Sequence, residues 1–535
     1  MPRFRNSSTF YWLAAFALLG AGVLLRARGL GRSLWQDEAW VANSVLADSL
    51  QGMFFYDAWL QTTPPLFLLM IRAAVGAFGL QEWCWRLVPF CWGVAGCLMM
   101  AVLLKRLPDL SAPLRVWLLA LFVLSSSGIH FSYSLKQYVP EMAVTAGLLL
   151  ATVFYLERRS RRRFFGLMAA MLAGMSLSYG SVLVFPGIML ATSPWFARWA
   201  RLDVGEDNPG AAAGQWSVVW GLVLAAFALE YWAFISPNRT AELDGYWLHP
   251  PHSTLFGYIN EAYSGVFVLL HHVPLPRVLL SFTGARIAAL VSALLILPAL
   301  YRRMRRGIRP ESLLETAALI SAVALVTMIA ASLLRIYPLV MRTSLPFLPC
   351  VVIVIGYGFH IVRKELIEPL RGGLRRAALM TIWAAALLLT VFGLELRWNP
   401  HGEEELRGAM AYLKREMTAN DRLYVHATCI EGYKLYTRIL GWEPAGTVFG
   451  QFGFPCCPRP DVITDYTDER ALQRDLSRIL ESKPSGTLYI LHTGKPGVTE
   501  SLAIMDRVFP GAGCAARETP RFYSTVVRSF DCSGS

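Results

Sequence analysis

Long apolar segments alternate with polar segments from about residue 10 to residue 396, and two of the polar segments, about 27–83 and 236–277, are long. The apolar segments approach the roughly 20 residues that an α-helix needs to cross the ~30 Å hydrocarbon core of a bilayer. This pattern predicts an all-α polytopic membrane protein with about eleven transmembrane helices. They are expected near residues 10–26, 84–104, 114–130, 138–156, 164–179, 181–197, 216–235, 278–300, 313–334, 345–362 and 377–396. A shorter apolar run after Pro64-Pro65 suits a surface-lying or re-entrant helix.

The pattern changes after about residue 397. Apolar residues recur at helical spacing from Glu403 to Met417, and residues Asp468 to Ser482 are predicted to form a second helix. The stretches RLYVHA, TLYILHTG and RFYSTVVRSF each predict a short strand. We therefore expect a transmembrane domain over 1–396 and a small periplasmic α/β domain over 397–535.

Composition and charge placement agree with a membrane protein. Of 535 residues, 55% are hydrophobic and 16% are charged, whereas a soluble domain carries about a quarter charged residues. The net charge of +13 could suit nucleic acid, but the basic residues cluster between apolar runs, which is how membrane proteins record their orientation. The clusters are Lys105, Arg106 and Arg115; Arg158, Arg159 and Arg161 to Arg163; Arg198 and Arg201; Arg302, Arg303, Arg305, Arg306 and Arg309; and Arg363, Lys364, Arg371, Arg375 and Arg376. We expect an inner-membrane protein with a cytoplasmic N-terminus and a periplasmic tail, and no nucleic-acid partner.

The first apolar run has some features of a signal peptide, because Arg3 and Arg5 precede it. The run is long for that purpose, and it is followed by Arg26, Arg28 and Arg32 rather than by a small-residue cleavage site. We expect it to be a retained transmembrane helix.

Two adjacent acids, Asp37 and Glu38, lie in the first long outer segment between Trp35 and Trp40. Tryptophan favours the membrane interface. Neighbouring residues on a helix point about 100° apart, so one acid can face a cavity while the other binds the backbone or a basic side chain. The alternative is an ordinary helix start, because acids stabilise the first turn.

Other outer segments carry residues that could bind an anionic group such as a lipid phosphate. They are Arg86, Lys136, Tyr138, Arg335 and Arg342. Guanidinium groups suit phosphate because they donate a fork of hydrogen bonds. Ionisable residues at membrane depth are energetically costly and are therefore candidates for a function. The alternatives are a snorkelling side chain for Arg86, an ion pair between Lys136 and Glu141, and headgroup anchoring for the two late arginines.

We consider the histidines and cysteines as metal ligands and as disulfide partners. His271-His272 is not a ligand pattern by itself, so we expect no metal site. An oxidising compartment would permit disulfides in the tail. Cys514 with Cys532 would close a terminal strand pair, and Cys429 could pair with Cys456 or Cys457.

Several of these motifs together resemble a known family. In order, LWQDEAW, TPPLFLLMIRAAVGAFG, EWCWRLVP, YSLKQYVPEM and YPLVMRTSLPFLP are similar to motifs of bacterial family-39 glycosyltransferases. These are relatives of protein O-mannosyltransferases and lipid A aminoarabinose transferases and have the GT-C fold. The resemblance covers about residues 10–400. Thr63 stands where many relatives have His, and the tail falls outside the resemblance.

The resemblance implies roles for particular residues. Asp37 matches the proposed general base that deprotonates the acceptor, and we expect its neighbour Glu38 to be the second catalytic acid. Lys136-Gln137-Tyr138 matches the Lys-Gln-Tyr motif of the family. Pro338 and Arg342 match a segment that contacts the carrier phosphate.

The sequence thus predicts an inverting glycosyltransferase. It would move a sugar from a polyprenyl-phosphate carrier to a glycan, lipid or protein acceptor at the periplasmic face, with no cofactor. A transporter or flippase for a lipid-linked glycan is the main alternative, and a structural partner in an envelope assembly is another. The charges lie at the outer mouths of the helices rather than along a midplane path, and no inverted repeat is visible, which favours the enzyme.

Overall fold

The computed structural model describes residues 7–56, 62–199, 209–239, 299, 301–305, 310–338, 341–380, 405–426, 429–449, 486–493, 507, 509–510, 513–522 and 524–532. The helices of the N-terminal part are α1 Ser7–Ala27, α2 Gln36–Val45, α3 Leu50–Phe54, α4 Pro65–Phe78, α5 Glu82–Lys105, α6 Ala112–Val123, α7 Ser126–His130, α8 Tyr138–Glu157, α9 Arg161–Met175, α10 Phe185–Thr192, α11 Pro194–Trp199, α12 Pro209–Glu230, α13 Leu313–Leu333, α14 Met341–Ser344 and α15 Leu348–Val362. Short 3-10 turns lie at Phe131–Tyr133, Gly180–Val184, Ser236–Asn238 and Leu345–Phe347, and π-turns at Tyr231–Ile235 and Arg363–Ile367.

Six helical segments of the described chain are long and apolar enough to cross a membrane. They are Ser8–Ala27, Glu82–Lys105, Tyr138–Glu157, Ala213–Asn238, Leu313–Leu333 and Arg342–Ile367. A seventh candidate is the pair Ala112–Val123 and Ser126–Tyr133, which is bent by 50°. The prediction of a mostly helical, multi-pass membrane protein is confirmed.

Some predicted spans differ from the structure. The helix expected over 164–179 is α9, which has only 15 residues. The span expected over 181–197 is not one helix: it consists of a 3-10 turn, α10 and α11. Ser193 ends α10, and its hydroxyl accepts a hydrogen bond from the Phe196 N–H (3.0 Å), so that a new helix begins at Pro194. The predicted spans at 278–300 and 377–396 lie mostly outside the described residues.

Two of the basic residues that predict the cytoplasmic side, Lys105 and Arg106, lie at one end of the bundle. Lys105 Nζ donates to Ser8 Oγ (2.8 Å), and Arg106 forms an ion pair with Glu157 (2.9 Å). These contacts join the start of α1 to the ends of α5 and α8. The starts of α5 and α8 therefore lie at the opposite end, where α2 and α14 are also found.

The C-terminal part forms a small α/β unit, as expected. Its helices and strands are α16 Leu406–Glu416, β1 Arg422–Val425, α17 Ile430–Leu440, β2 Thr447–Phe449, β3 Thr487–Thr493, β4 Ala515–Arg517, β5 Arg521–Phe522 and β6 Thr525–Asp531. The sheet order is β2-β1-β3-β6-β4, with β5 also paired to β6. β1 is parallel to β2 and β3, whereas β6 is antiparallel to its neighbours.

Two details of the tail bear on the sequence predictions. RFYSTVVRSF is not one final strand but a β5–β6 hairpin, with Ser524 at a φ of 48° between the strands. The predicted Cys514–Cys532 disulfide is present and joins the start of β4 to the end of β6. The predicted helix at 468–482 and the partners proposed for Cys429 lie outside the described residues.

The membrane bundle and the α/β unit share one apolar core. Leu34 precedes α2, and Val41 lies within it. Both are buried in the same apolar cluster as Leu406 and Tyr436 of the tail. The α/β unit therefore packs directly against the segment that carries the predicted catalytic acids.

Candidate active site

Asp37 and Arg342 meet at the end of the bundle where α2 and α14 begin. The Asp37 Oδ2 atom lies 3.5 Å from Arg342 Nη1. Both side chains are partly exposed, at 17% and 26%, so the pair is open to a ligand in a way that a buried structural pair would not be. The structure thus brings together two predicted site residues that are far apart in the sequence.

Glu38 points away from Asp37 into the protein. Its carboxylate forms an ion pair with Arg86 (2.5 Å) and is 1% exposed. It also accepts hydrogen bonds from the Leu135 N–H (2.6 Å) and the Trp35 N–H (3.3 Å). The expectation that neighbouring acids would take different environments is met, but the prediction that Glu38 is catalytic does not fit this buried position.

Arg86 is also a structural residue. Its guanidinium donates to both oxygens of Glu38. The remaining donors bind the backbone carbonyls of residues 29, 30, 32 and 33 at 2.6–3.3 Å. The sequence analysis proposed Arg86 for the donor phosphate. In the structure these protein contacts occupy the fork of donors that would bind phosphate, so we do not include Arg86 in the proposed phosphate site.

The hydrogen bond from the Leu135 N–H to Glu38 brings the Lys136-Gln137-Tyr138 segment close to α2. The Leu135 N–H donates to Glu38, and Lys136 and Gln137 connect Leu135 to Tyr138, the first residue of α8. Tyr138 is buried and lies within electrostatic range of both Asp37 and Arg342. Lys136 is half-buried on the same segment. Tyr138 therefore lies near the Asp37–Arg342 pair, and Lys136 is two residues before it in the chain.

Contacts around Tyr337 fix the approach of the Arg342 segment. The Tyr337 hydroxyl donates to the Thr343 carbonyl (2.7 Å), which lies next to Arg342. A Cβ on Gly180 would lie 2.6 Å from that hydroxyl, which is closer than a Cβ normally approaches another atom. The Glu141 carboxylate accepts hydrogen bonds from the backbone of Tyr179 and Gly180. The motif containing Tyr337 was recognised in the sequence, but nothing in it indicated the Gly180 contact.

Arg335 occupies a different environment. It is exposed at the end of α13 with a φ of 56°. Within the described ranges its side chain forms no ion pair. The structure does not bring it to the Asp37–Arg342 pair by any contact.

No group of three His, Cys, Asp or Glu side chains within the described residues is arranged to hold a metal ion. His271-His272 lies outside those residues.

Comparison with known proteins identifies similar structures. No protein-family model matches the chain, and no curated protein matches it. ArnT from Cupriavidus metallidurans in the apo state is similar at 15% identity and a TM-score of 0.49, with 98% of each chain covered. ArnT bound to undecaprenyl phosphate is similar at 14% identity and a TM-score of 0.46, with the same coverage. The archaeal oligosaccharyltransferase AglB from Archaeoglobus fulgidus, in complex with an inhibitory peptide and a dolichol-phosphate, is similar at 11% identity and a TM-score of 0.48, with 97% of this chain and 76% of that chain covered.

These similar structures are membrane glycosyltransferases of the GT-C class, and ArnT is an aminoarabinose transferase. The motifs predict a resemblance to aminoarabinose transferase-like GT-C proteins. ArnT is one of the solved structures to which this chain is similar. The sequence identities to these structures are low, and all three TM-scores are below 0.5.

Proposed function

We propose that the protein is an inverting glycosyltransferase that moves a sugar from a polyprenyl-phosphate carrier to an acceptor hydroxyl at the periplasmic face of the inner membrane. The observation that carries the proposal is the partly exposed Asp37–Arg342 pair beside Tyr138. It combines a base for the acceptor with a cation for a phosphate at one end of a membrane bundle.

The reaction would be a single displacement. The acceptor oxygen attacks the anomeric carbon and loses its proton to the Asp37 carboxylate. The bond between the anomeric carbon and the phosphate oxygen breaks, and its electron pair remains on the polyprenyl phosphate. One displacement inverts the configuration at the anomeric carbon.

Arg342 would stabilise the departing phosphate, because its charge faces the position where negative charge develops. The guanidinium forms an ion pair with Asp37 (3.5 Å). A bound phosphate would draw Arg342 into a shared contact and leave the Asp37 carboxylate to meet the acceptor. We propose that Lys136 and Tyr138 complete the phosphate site, because their segment adjoins the pair. Arg335, exposed just after the end of α13, is proposed only as an outer contact for the carrier.

The lipid tail of the donor would lie in the bilayer beside the transmembrane helices. Undecaprenyl phosphate and dolichol-phosphate, which are held in two of the similar structures, belong to the class of carrier that we propose. Membrane lipids surround the exposed apolar faces of the bundle, and the α/β unit, proposed as a domain over about 397–535, would stand in the periplasm.

The experiment that tests the proposal is analysis of the lipids that co-purify with an inactive variant. Asp37→Asn should keep the phosphate site and retain a sugar-linked polyprenyl phosphate, which mass spectrometry detects. Arg342→Ala should lose that lipid. Equal amounts of lipid with both variants would contradict the assigned phosphate site.

Transfer assays separate this proposal from a lipid flippase. Purified protein in detergent, where no transmembrane gradient exists, should convert an undecaprenyl-phosphate-linked sugar into free undecaprenyl phosphate and a glycosylated acceptor. A flippase would leave the lipid-linked sugar unchanged. Failure with every acceptor class, together with sugar-lipid movement across vesicles, would favour the flippase.

A further inference from the structure

The α/β unit contacts both ends of the helix that carries Asp37. Its helix α17 packs along α2, and the contacts include hydrogen bonds to residues on each side of Asp37. None of the sequence motifs indicated this connection, because the two helices are separated by almost the whole membrane domain.

The first contact is at the entrance to α2. The Leu34 N–H donates to the Tyr436 hydroxyl (2.7 Å), and Ser33 Oγ lies 3.1 Å from the same oxygen. The Tyr436 hydroxyl also donates to Glu82 at 3.4 Å. Burial raises the pKa of Tyr436, so the phenol stays protonated and can accept from Leu34 while it donates to Glu82. Tyr436 therefore fixes the backbone three residues before Asp37.

The second contact is next to Asp37 itself. The Gly432 N–H, in the first turn of α17, donates to Gln36 Oε1 at 3.1 Å. Both residues are buried. Because Gln36 and Asp37 are neighbours, this bond limits rotation of the first turn of α2.

The third contact is at the far end of α2. Asn43 Nδ2 donates to the Glu431 carbonyl (2.9 Å) and to Glu431 Oε2 (2.7 Å). Tyr56 and Lys434 also donate to the Glu431 carboxylate, at 2.9 Å and 2.7 Å. A carboxylate that is only 4% exposed and has three donors holds its geometry tightly.

We infer that the α/β unit positions the general base: Tyr436 and Glu431 hold the two ends of α2 so that the Asp37 carboxylate stays against Arg342. They are positioning residues, since neither touches the reacting atoms. The inference rests on the proposed function, because it takes Asp37 as the base. The physical reason for such an anchor is that small misplacements of a catalytic group cost large factors in rate.

The test uses Tyr436→Phe, which removes one hydroxyl and keeps the ring. Tyr433→Phe is the matched control: Tyr433 lies on the same helix, is equally buried, and its hydroxyl bonds Thr447 inside the α/β unit (2.9 Å) rather than α2. Two readouts are compared, hydrogen exchange of residues 34–45 and the steady-state kinetics of sugar transfer.

We expect Tyr436→Phe to increase exchange in residues 34–45 and to lower kcat by roughly tenfold to a hundredfold, with little change in KM for the lipid donor. Tyr433→Phe should change neither. A structural defect of the whole unit would affect both variants alike, so equal losses would overturn the inference. Unchanged exchange in Tyr436→Phe, or increased exchange with normal kcat, would also overturn it.

The exchange readout does not need activity. If the wild-type protein transfers no sugar, the proposed function fails and the base-positioning role fails with it. The exchange of residues 34–45 still decides separately whether Tyr436 anchors α2.

Discussion

Glu38 and Arg86 form a buried ion pair in which the guanidinium also binds four backbone carbonyls. This pair joins α2, the segment before it and the start of α5. Asp37, one residue earlier, lies outside this network and faces Arg342. Of the two adjacent acids, Glu38 thus holds the structure around the site together, and Asp37 is partly exposed beside Arg342.

The first prediction concerns the stability of this network. Glu38→Gln or Arg86→Ala leaves a buried charge without its partner, which typically costs about 3–5 kcal/mol. We expect a large loss of folded protein in detergent, measured by thermal unfolding. Arg106→Ala is the control, because its pair with Glu157 is at the surface and such pairs contribute less than about 1 kcal/mol. Equal stability of the Arg86 and Arg106 variants would contradict the structural role.

The second prediction concerns the donor phosphate. Arg342→Lys keeps the charge but loses the guanidinium fork, which should weaken binding of undecaprenyl phosphate by roughly 1.5–3 kcal/mol, or roughly tenfold to a hundredfold in Kd. Arg335→Lys is the matched comparison in the same outer segment, and we expect a smaller change there. A larger effect at Arg335 than at Arg342 would move the phosphate site away from Asp37.

The third prediction concerns Gly180. Gly180→Ala would push its new methyl group against the Tyr337 hydroxyl and disturb the bond to Thr343 that fixes the Arg342 segment. Transfer activity should fall. The loss caused by Gly180→Ala should be smaller in a Tyr337→Phe background, because the hydroxyl that clashes is then absent. Additive losses in this double-mutant cycle would show that the two residues act independently.

The fourth prediction concerns the loss of stability of the α/β unit as the pH falls. His426 and His492 stack in the α/β unit with ring centroids 4.0 Å apart, and both are buried. Burial first, and then the neighbouring His492, hold the pKa of His426 well below its usual value of 6.5. The unfolded chain therefore binds a proton that the folded unit rejects, so stability is full above about pH 6.5 and falls below it, by up to roughly 1.4 kcal/mol for each pH unit.

Hydrogen exchange of the β1 and β3 strands, measured between about pH 7.5 and about pH 5.5 and corrected for intrinsic rates, checks this slope. His426→Phe should flatten it. A stability that is constant over this range in the wild-type protein would contradict the account of the histidine pair.

Some features of this structure follow from the sequence and others do not. Apolar run length predicts the helices that begin near residues 84, 138 and 313, because lipid imposes a simple requirement on length and composition. The same criterion missed the break at Ser193-Pro194, where a local capping bond overrides hydropathy. The 100° step of a helix anticipated the divergence of Asp37 and Glu38, but it did not indicate which acid is buried. That depends on Arg86 and Leu135, which only the packing brings to α2.

The contact between α17 and α2 could not be predicted at all. Gly432 and Tyr436 lie in a helix that the sequence analysis did not assign, and their bonds to Gln36 and Leu34 arise from docking of the tail. Hydrogen bonds between distant segments leave no periodic trace in a single sequence. The Cys514–Cys532 disulfide, by contrast, was expected because its two strands lie close together at the end of the chain.

The central claim is that Asp37 acts as the base for sugar transfer, and the kinetics of Asp37→Asn test it most directly. With an undecaprenyl-phosphate-linked sugar as donor, the account predicts that transfer falls by roughly a hundredfold to ten-thousandfold while the variant folds normally and still binds undecaprenyl phosphate. Turnover close to that of the wild-type protein would contradict the claim.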